Sequence, residues 1–207
     1  MRKIAPYKSY KYALASLDNG GRFYNLMSKV NDGNITSAEL AKAAGVFMGK
    51  QTMMLYLEMS LFDLDTDKKD RVISHLTTDL KSEYKKYKPA SFSASEAKNQ
   101  AVISSTAIVT GIPKLVDSKT EFKGFIMVPI MTGKTTTFTM IPIIDQYDVY
   151  ELRDNKTDEH FFIAHNRGRW KLPEQSVRCG GVVKELKAKK EEESASDKFL
   201  EIIYYSY

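Results

Sequence analysis

The hydrophobic positions change rhythm near residue 100. Before it they recur at helical spacing. Asn19-Gly20-Gly21 breaks the chain, and Phe23, Leu26, Met27 and Val30 then predict a short helix that ends near Asn31-Asp32-Gly33. Thr36 followed by Glu39 forms a capping box, and Gly45 supplies the C-terminal stop of the helix between them. From Phe47 to Phe62 the apolar residues run nearly all round, through Met53, Met54, Leu55, Tyr56, Leu57 and Met59, as expected of a helix buried among its neighbours. Asp65-Thr66-Asp67 then caps what reads as one long amphipathic helix, with Val72, Ile73, Leu76, Leu80, Tyr84 and Tyr87 on one face and Pro89 closing it. Between Pro89 and Gln100 the chain turns to Ser, Ala and Lys, a linker or a short helix capped by Ser93 with Glu96.

After residue 100 the runs are short, β-branched and aromatic. Residues 102 to 116 predict one or two strands interrupted at Gly111-Ile112-Pro113. Four further runs fill Phe122 to Asn166, with turns at Met131-Thr132-Gly133-Lys134 and Asp154-Asn155-Lys156-Thr157-Asp158. Pro129 and Pro142 each fall inside an apolar run, where a missing N–H fits only a sheet edge or a bulge. Strand-like runs follow at Val177 to Leu186 and Phe199 to Tyr205, around the charged loop Lys187 to Asp197. The pattern predicts an α+β protein: a helical region over 1–100, then an antiparallel β domain over 101–207, built as a β-barrel or bent sheet, with an OB-like barrel among the forms it fits.

Composition narrows this picture. The 43% hydrophobic and 11% aromatic content of the 207 residues suffices for a folded core. No apolar run reaches the roughly 18 residues of a membrane span, and the N-terminus lacks a secretory pattern, so the reading is a cytoplasmic protein without a membrane partner. Cys179 is the single cysteine, which excludes an internal disulfide and any multi-cysteine zinc site within the chain. The net charge of +5 is unevenly placed. Residues 122 to 207 hold 13 basic and 13 acidic side chains, so the excess lies in residues 1 to 121, much of it in a basic arm of Arg2, Lys3, Lys8 and Lys11.

Several stretches resemble known sites in part. Asp32-Gly33-Asn34-Ile35-Thr36 with Glu39 resembles the second half of an EF-hand calcium loop, but the first and third ligand positions fall on Ser28 and Val30, and valine has no oxygen to offer. Ala38 to Val46 resembles the first helix and turn of a helix-turn-helix unit, through Ala41 and Gly45. There the next helix should be a polar reading surface, and here it carries Met53, Met54, Leu55 and Leu57. Gly133-Lys134-Thr135 lacks the upstream glycine and the following helix of a phosphate-binding loop.

The cluster His165 to Lys171, with Arg178, Tyr147 and Phe161, sets an indole among guanidinium groups, a pattern suited to stacking bases and meeting phosphates. The nucleic-acid-binding residues expected from it are Arg167, Arg169, Trp170, Lys171 and Arg178. His75, His160 and His165 show no metal-ligand spacing, and Asp145, Asp148 and Glu151 read as surface charges. The first functional reading is therefore a non-enzymatic cytoplasmic protein that binds single-stranded nucleic acid weakly, with no catalytic residue, metal or cofactor. The alternative is a protein-interaction or assembly module using the Met-rich helix or a sheet edge. A third is a hydrolase dependent on Cys179.

Overall fold

A computed structural model describes residues 1–20, 29–46, 49–116, 124–132, 135–157, 159–168, 170–186 and 198–207. The expected helix at Phe23 to Val30, the Gly133-Lys134 turn, Arg169 and the loop Lys187 to Asp197 fall wholly or mainly outside these residues. In chain order the elements are β1 (Arg2–Lys3), α1 (Tyr10–Leu17), α2 (Ser37–Ala44), α3 (Lys50–Ser60), α4 (Thr66–Ser74), α5 (Thr78–Tyr87), β2 (Ala90–Ser93) and α6 (Ala94–Gln100). There follow β3 (Thr106–Leu115), β4 (Phe125–Thr132), β5 (Thr135–Pro142), α7 (Ile143–Gln146), β6 (Tyr147–Arg153), β7 (His160–Asn166), β8 (Val177–Glu185) and β9 (Lys198–Ser206). The fold is α+β, and it divides into two compact units, residues 3–90 and, in the main, residues 91–205. Among the described residues no helix is long and apolar enough to cross a membrane.

The helical elements of the first unit start and stop where local chemistry requires. Thr36 and Glu39 make a reciprocal capping box on α2, and Gly45 ends it in the left-handed conformation at φ 71°. Asp65 caps α4 by accepting from the Lys68 N–H at 2.9 Å. Helix α3 buries every residue from Met53 to Ser60 and packs against α2 and α5. A recognition helix has to face solvent, so the helix-turn-helix likeness ends here.

The long helix expected from Asp65 to Pro89 is instead two helices, broken at His75-Leu76-Thr77. Long-range bonds account for the break. Ile35 N–H donates to the His75 carbonyl at 2.8 Å, and Thr77 N–H donates to the Ile35 carbonyl at 3.0 Å. The His75 imidazole bridges the Gly33 carbonyl at Nδ1 and the Tyr10 hydroxyl at Nε2, each at 2.7 Å. A carbonyl only accepts, so Nδ1 carries a proton and donates to it.

The EF-hand likeness is likewise spent on structure. The buried Glu39 carboxylate accepts from the N–H groups of Gly20 at 2.7 Å and Thr36 at 2.8 Å, while Asp18 accepts from Asp32 and Gly33. Among the described residues no group of three or more His, Cys, Asp or Glu side chains is placed to hold a metal ion.

In the second unit β3 pairs antiparallel with both β6 and β8, β6 with β7, and β8 pairs with β9. The wholly antiparallel sheet expected from the hairpins is corrected at one place: β7 and β9 run parallel, Ile163 opposite Leu200 and Ala164 opposite Glu201. Strand β8 lies between them in sequence but pairs with β3 and β9 and not with β7, so the chain returns in the same direction without a crossover helix. The pairings thus close on themselves, β3 to β6 to β7 to β9 to β8 and back to β3. Two glycines make the close approaches that this closure needs. A Cβ on Gly181 would stand 1.9 Å from the Glu201 carbonyl oxygen, and one on Gly111 would stand 2.5 Å from that of Arg153.

Inside the ring Val109, Tyr150, Leu152, Phe161, Ile163, Cys179, Val183 and Leu200 form the larger core, flanked by Ala94 and Ala97 of α6. A second cluster of Ile143, Ile144, Tyr147, Val149, Ala164, Leu186 and Phe199 includes both buried isoleucines of α7. Strands β4 and β5 form a separate two-stranded sheet in register from Phe125 opposite Pro142 to Thr132 opposite Thr135. Among the described residues each strand of this ribbon has one partner, so Pro129 and Pro142 sit where a missing amide is tolerated.

Candidate functional site

The Trp170 segment leaves the end of β7 and returns to β8 past a buried carboxylate. Asp148, read from sequence as a surface charge, is 5% exposed on β6, directly opposite His165 on β7. Alternation puts both side chains on the same face as Tyr150 and Ile163, at one end of the larger core. The carboxylate is held by cations from the next connection: Lys171 Nζ lies 2.5 Å from its Oδ1 and Arg167 Nε 3.8 Å from the same oxygen. Arg167 also donates to the Ile144 carbonyl through its guanidinium and to the Gln146 carbonyl through its backbone N–H.

Burial disfavours the charged form of the imidazole beside Asp148. His165 Nδ1 lies 2.8 Å from the Asn166 carbonyl and so donates to it, while Nε2 faces the Tyr150 hydroxyl at 3.4 Å and the Asp148 Oδ2 at 4.0 Å. Burial lowers the His165 pKa from its ordinary value, outweighing the carboxylate, and Lys171 pushes the same way. The Tyr150 ring stacks on His165 at 5.7 Å between centroids, and its hydroxyl accepts from the Leu172 N–H at 3.2 Å. Burial raises that phenol to about 12. Tyr150 and Asp148 thus fix both ends of the segment, and Trp170 is carried between them with 79% of its surface exposed.

Of the five expected nucleic-acid residues, Arg167, Trp170 and Lys171 share this loop. Arg178 lies half-buried on β8 opposite Thr110, and Arg169 is outside the described residues. Two aromatics joined to the cluster by sequence reasoning do not belong to it. Phe161 is in the core at 1% exposure, and Tyr147 is buried with its hydroxyl donating to Glu201 at 2.7 Å. Sequence reasoning missed Asp148, Tyr150 and the polar role of His165. The available signal was alternation: Asp148 stands two residues before Tyr150 on a strand whose other face carries Tyr147 and Val149.

Two further features stand in the same unit. A groove of about 650 Å³ is bounded by Ile126 to Pro129 of β4, by Val182 to Glu185 of β8 and by Phe199. The β4–β5 ribbon presents one face in which Phe125, Met127, Pro129 and Met131 stand opposite Pro142, Met140, Phe138 and Thr136. Met131 is 78% and Phe138 62% exposed on it. Cys179, by contrast, has no exposure and faces the larger core, and burial drives its thiol pKa upward, away from the thiolate that a nucleophile requires. Comparison with protein-family models, with curated proteins and with solved structures returned no match.

Proposed function

We propose that this protein is a non-enzymatic binding module that holds single-stranded nucleic acid, in a cytoplasmic setting, through the Trp170 loop. The observation that carries the reading is an indole 79% exposed on a loop anchored at both ends, between two cations that share one buried carboxylate. Arg167, Lys171 and Asp148 together leave one net positive charge beside the ring. The shared carboxylate also limits where the two cations can go, so less side-chain freedom is lost when phosphates arrive. Bases stack on such a ring whatever their sequence.

Strand order supports a nucleic-acid role as such, but through the groove rather than the Trp170 loop, which joins β7 to β8, the third strand to the fourth. Taking β3, β6, β7, β8 and β9 as first to fifth, the pairs are first with second, second with third, third parallel to fifth, fifth with fourth, and fourth with first. We read that order as OB-like. In OB-folds the first-to-second and fourth-to-fifth connections frame oligonucleotides, and here the groove is bounded by β4 of the one connection and by the strand ends that flank the other.

Trp170 is the single tryptophan, so its emission reports on the loop directly. Titration with oligothymidylate is expected to quench it. With two or three phosphates neutralised, the slope of log affinity against log salt would be about −1.4 to −2.1. Trp170→Ala should weaken binding by about 1–3 kcal/mol. No salt-sensitive binding at oligonucleotide concentrations up to about 100 µM would refute the proposal, and binding without quenching would move the site from the Trp170 loop to the groove. The second reading, a protein-interaction role, is favoured by the exposed face of the ribbon.

A further inference from the structure

We infer that the exposed face of the β4–β5 ribbon is a self-association surface whose occupant is the same face of a second copy of this chain. Met127, Met131, Phe138 and Met140 are 49, 78, 62 and 50% exposed, and Pro129 and Thr136 lie among them. No residue of the face carries a charge, in a chain whose residues are 28% charged. That composition selects among occupants. An acidic or basic partner would leave its charge unpaired against this face. A second copy brings a matching uncharged surface, so two chains of net charge +5 can meet here without setting cation against cation.

Area and backbone chemistry define the mode of contact. At roughly 200 Å² for a fully exposed side chain of this size, the four residues offer on the order of 500 Å² per copy, or about 1,000 Å² for two. This reaches the lower limit of a specific interface, so the dimer is weak and concentration-dependent. Pro129, in the middle of β4, opposes pairing of that edge with another strand, and the contact inferred here is between the exposed faces. A two-fold contact of this kind closes at two chains.

The test is sedimentation velocity of the full chain from about 1 to 200 µM, which spans the dissociation constants expected for so small an interface. The expected result is a reversible shift from monomer to dimer. Phe138→Asp combined with Met131→Asp should raise the dissociation constant at least tenfold while leaving the circular dichroism and melting temperature unchanged, because both side chains are exposed. A monomer at every concentration overturns the inference, and flotation of that monomer with phosphatidylcholine vesicles would assign the face to a membrane surface instead. A dimer that survives the double substitution, or growth beyond two chains, also overturns it.

Discussion

Replacement of Asp148 by asparagine keeps the shape of the side chain and removes its charge, so it isolates what the carboxylate does for the Trp170 loop. The contact with Lys171 Nζ at 2.5 Å is a charge-assisted bond to an acceptor only 5% exposed, and such bonds contribute about 1.5–3 kcal/mol. Arg167, 3.8 Å away with a side chain 57% exposed, adds a screened attraction of no more than about 1 kcal/mol. On removal of the charge neither cation stays trapped, since the Lys171 side chain is 46% exposed and can turn to water. The loss therefore falls short of the roughly 3–5 kcal/mol typical of a broken buried pair, and about 2 kcal/mol is expected. At roughly 2–4 °C per kcal/mol for a chain of this size, the transition should fall by about 4–8 °C. A double-mutant cycle in urea with Lys171→Met should give a coupling of about 1–2 kcal/mol. A change within about 0.5 kcal/mol for Asp148→Asn, with coupling near zero, would refute the claim that this carboxylate anchors the loop.

Three other outcomes follow from the same structure. Gly181→Ala should lower the unfolding free energy measured in urea by about 3 kcal/mol, because its Cβ would meet the Glu201 carbonyl oxygen at 1.9 Å and β8 would have to leave β9; a soluble variant of unchanged stability would show that the strands do not approach so closely. Glu58→Ala in α3 removes the partner of Lys69, 2.5 Å away, and of the Tyr84 hydroxyl, and should cost about 3 kcal/mol by denaturant unfolding, with Glu58→Gln recovering part of it. His165 has a folded pKa below its ordinary value, so the unfolded chain binds the proton first. Its contribution to stability is whole above about pH 6.5 and is lost progressively as pH falls from there toward the folded value, and His165→Gln should flatten the wild-type decline in urea midpoint between about pH 7 and 5.

The features legible in the sequence were those decided by neighbours a few residues away. The capping boxes at Thr36/Glu39 and Ser93/Glu96 and the Asp65 cap all form, since each is a bond within one helical turn. The β4–β5 and β6–β7 hairpins and the two strands at the end of the chain were equally readable from alternation and turn residues. The break at His75 was not, because it is made by Gly33, Ile35 and Tyr10, residues 40 or more positions away. Nor was the parallel pairing of β7 with β9, which local pattern does not encode. In the candidate site the exposed Trp170 and its flanking cations could be read, while the anion that holds them could not.

That anion belongs to a wider pattern that explains why charge was misread. Asp18, Glu39, Glu58 and Asp148 are all 5% exposed or less, and each binds backbone N–H groups or cations from another part of its own unit. Glu39 holds the Gly20 N–H and its own helix cap, Asp18 holds the turn at Asp32-Gly33, and Glu58 joins α3 to Lys69 of α4 and Tyr84 of α5. A buried carboxylate is tolerated only when its oxygens are satisfied, and such satisfaction is directional, so each one fixes a segment that apolar packing alone would leave free to shift. Composition counts these acids with the solvated ones. Only the Glu39 box announces itself locally; for the other three, the partners that make burial affordable come from elsewhere in the fold, and at Asp148 they are the residues that flank Trp170.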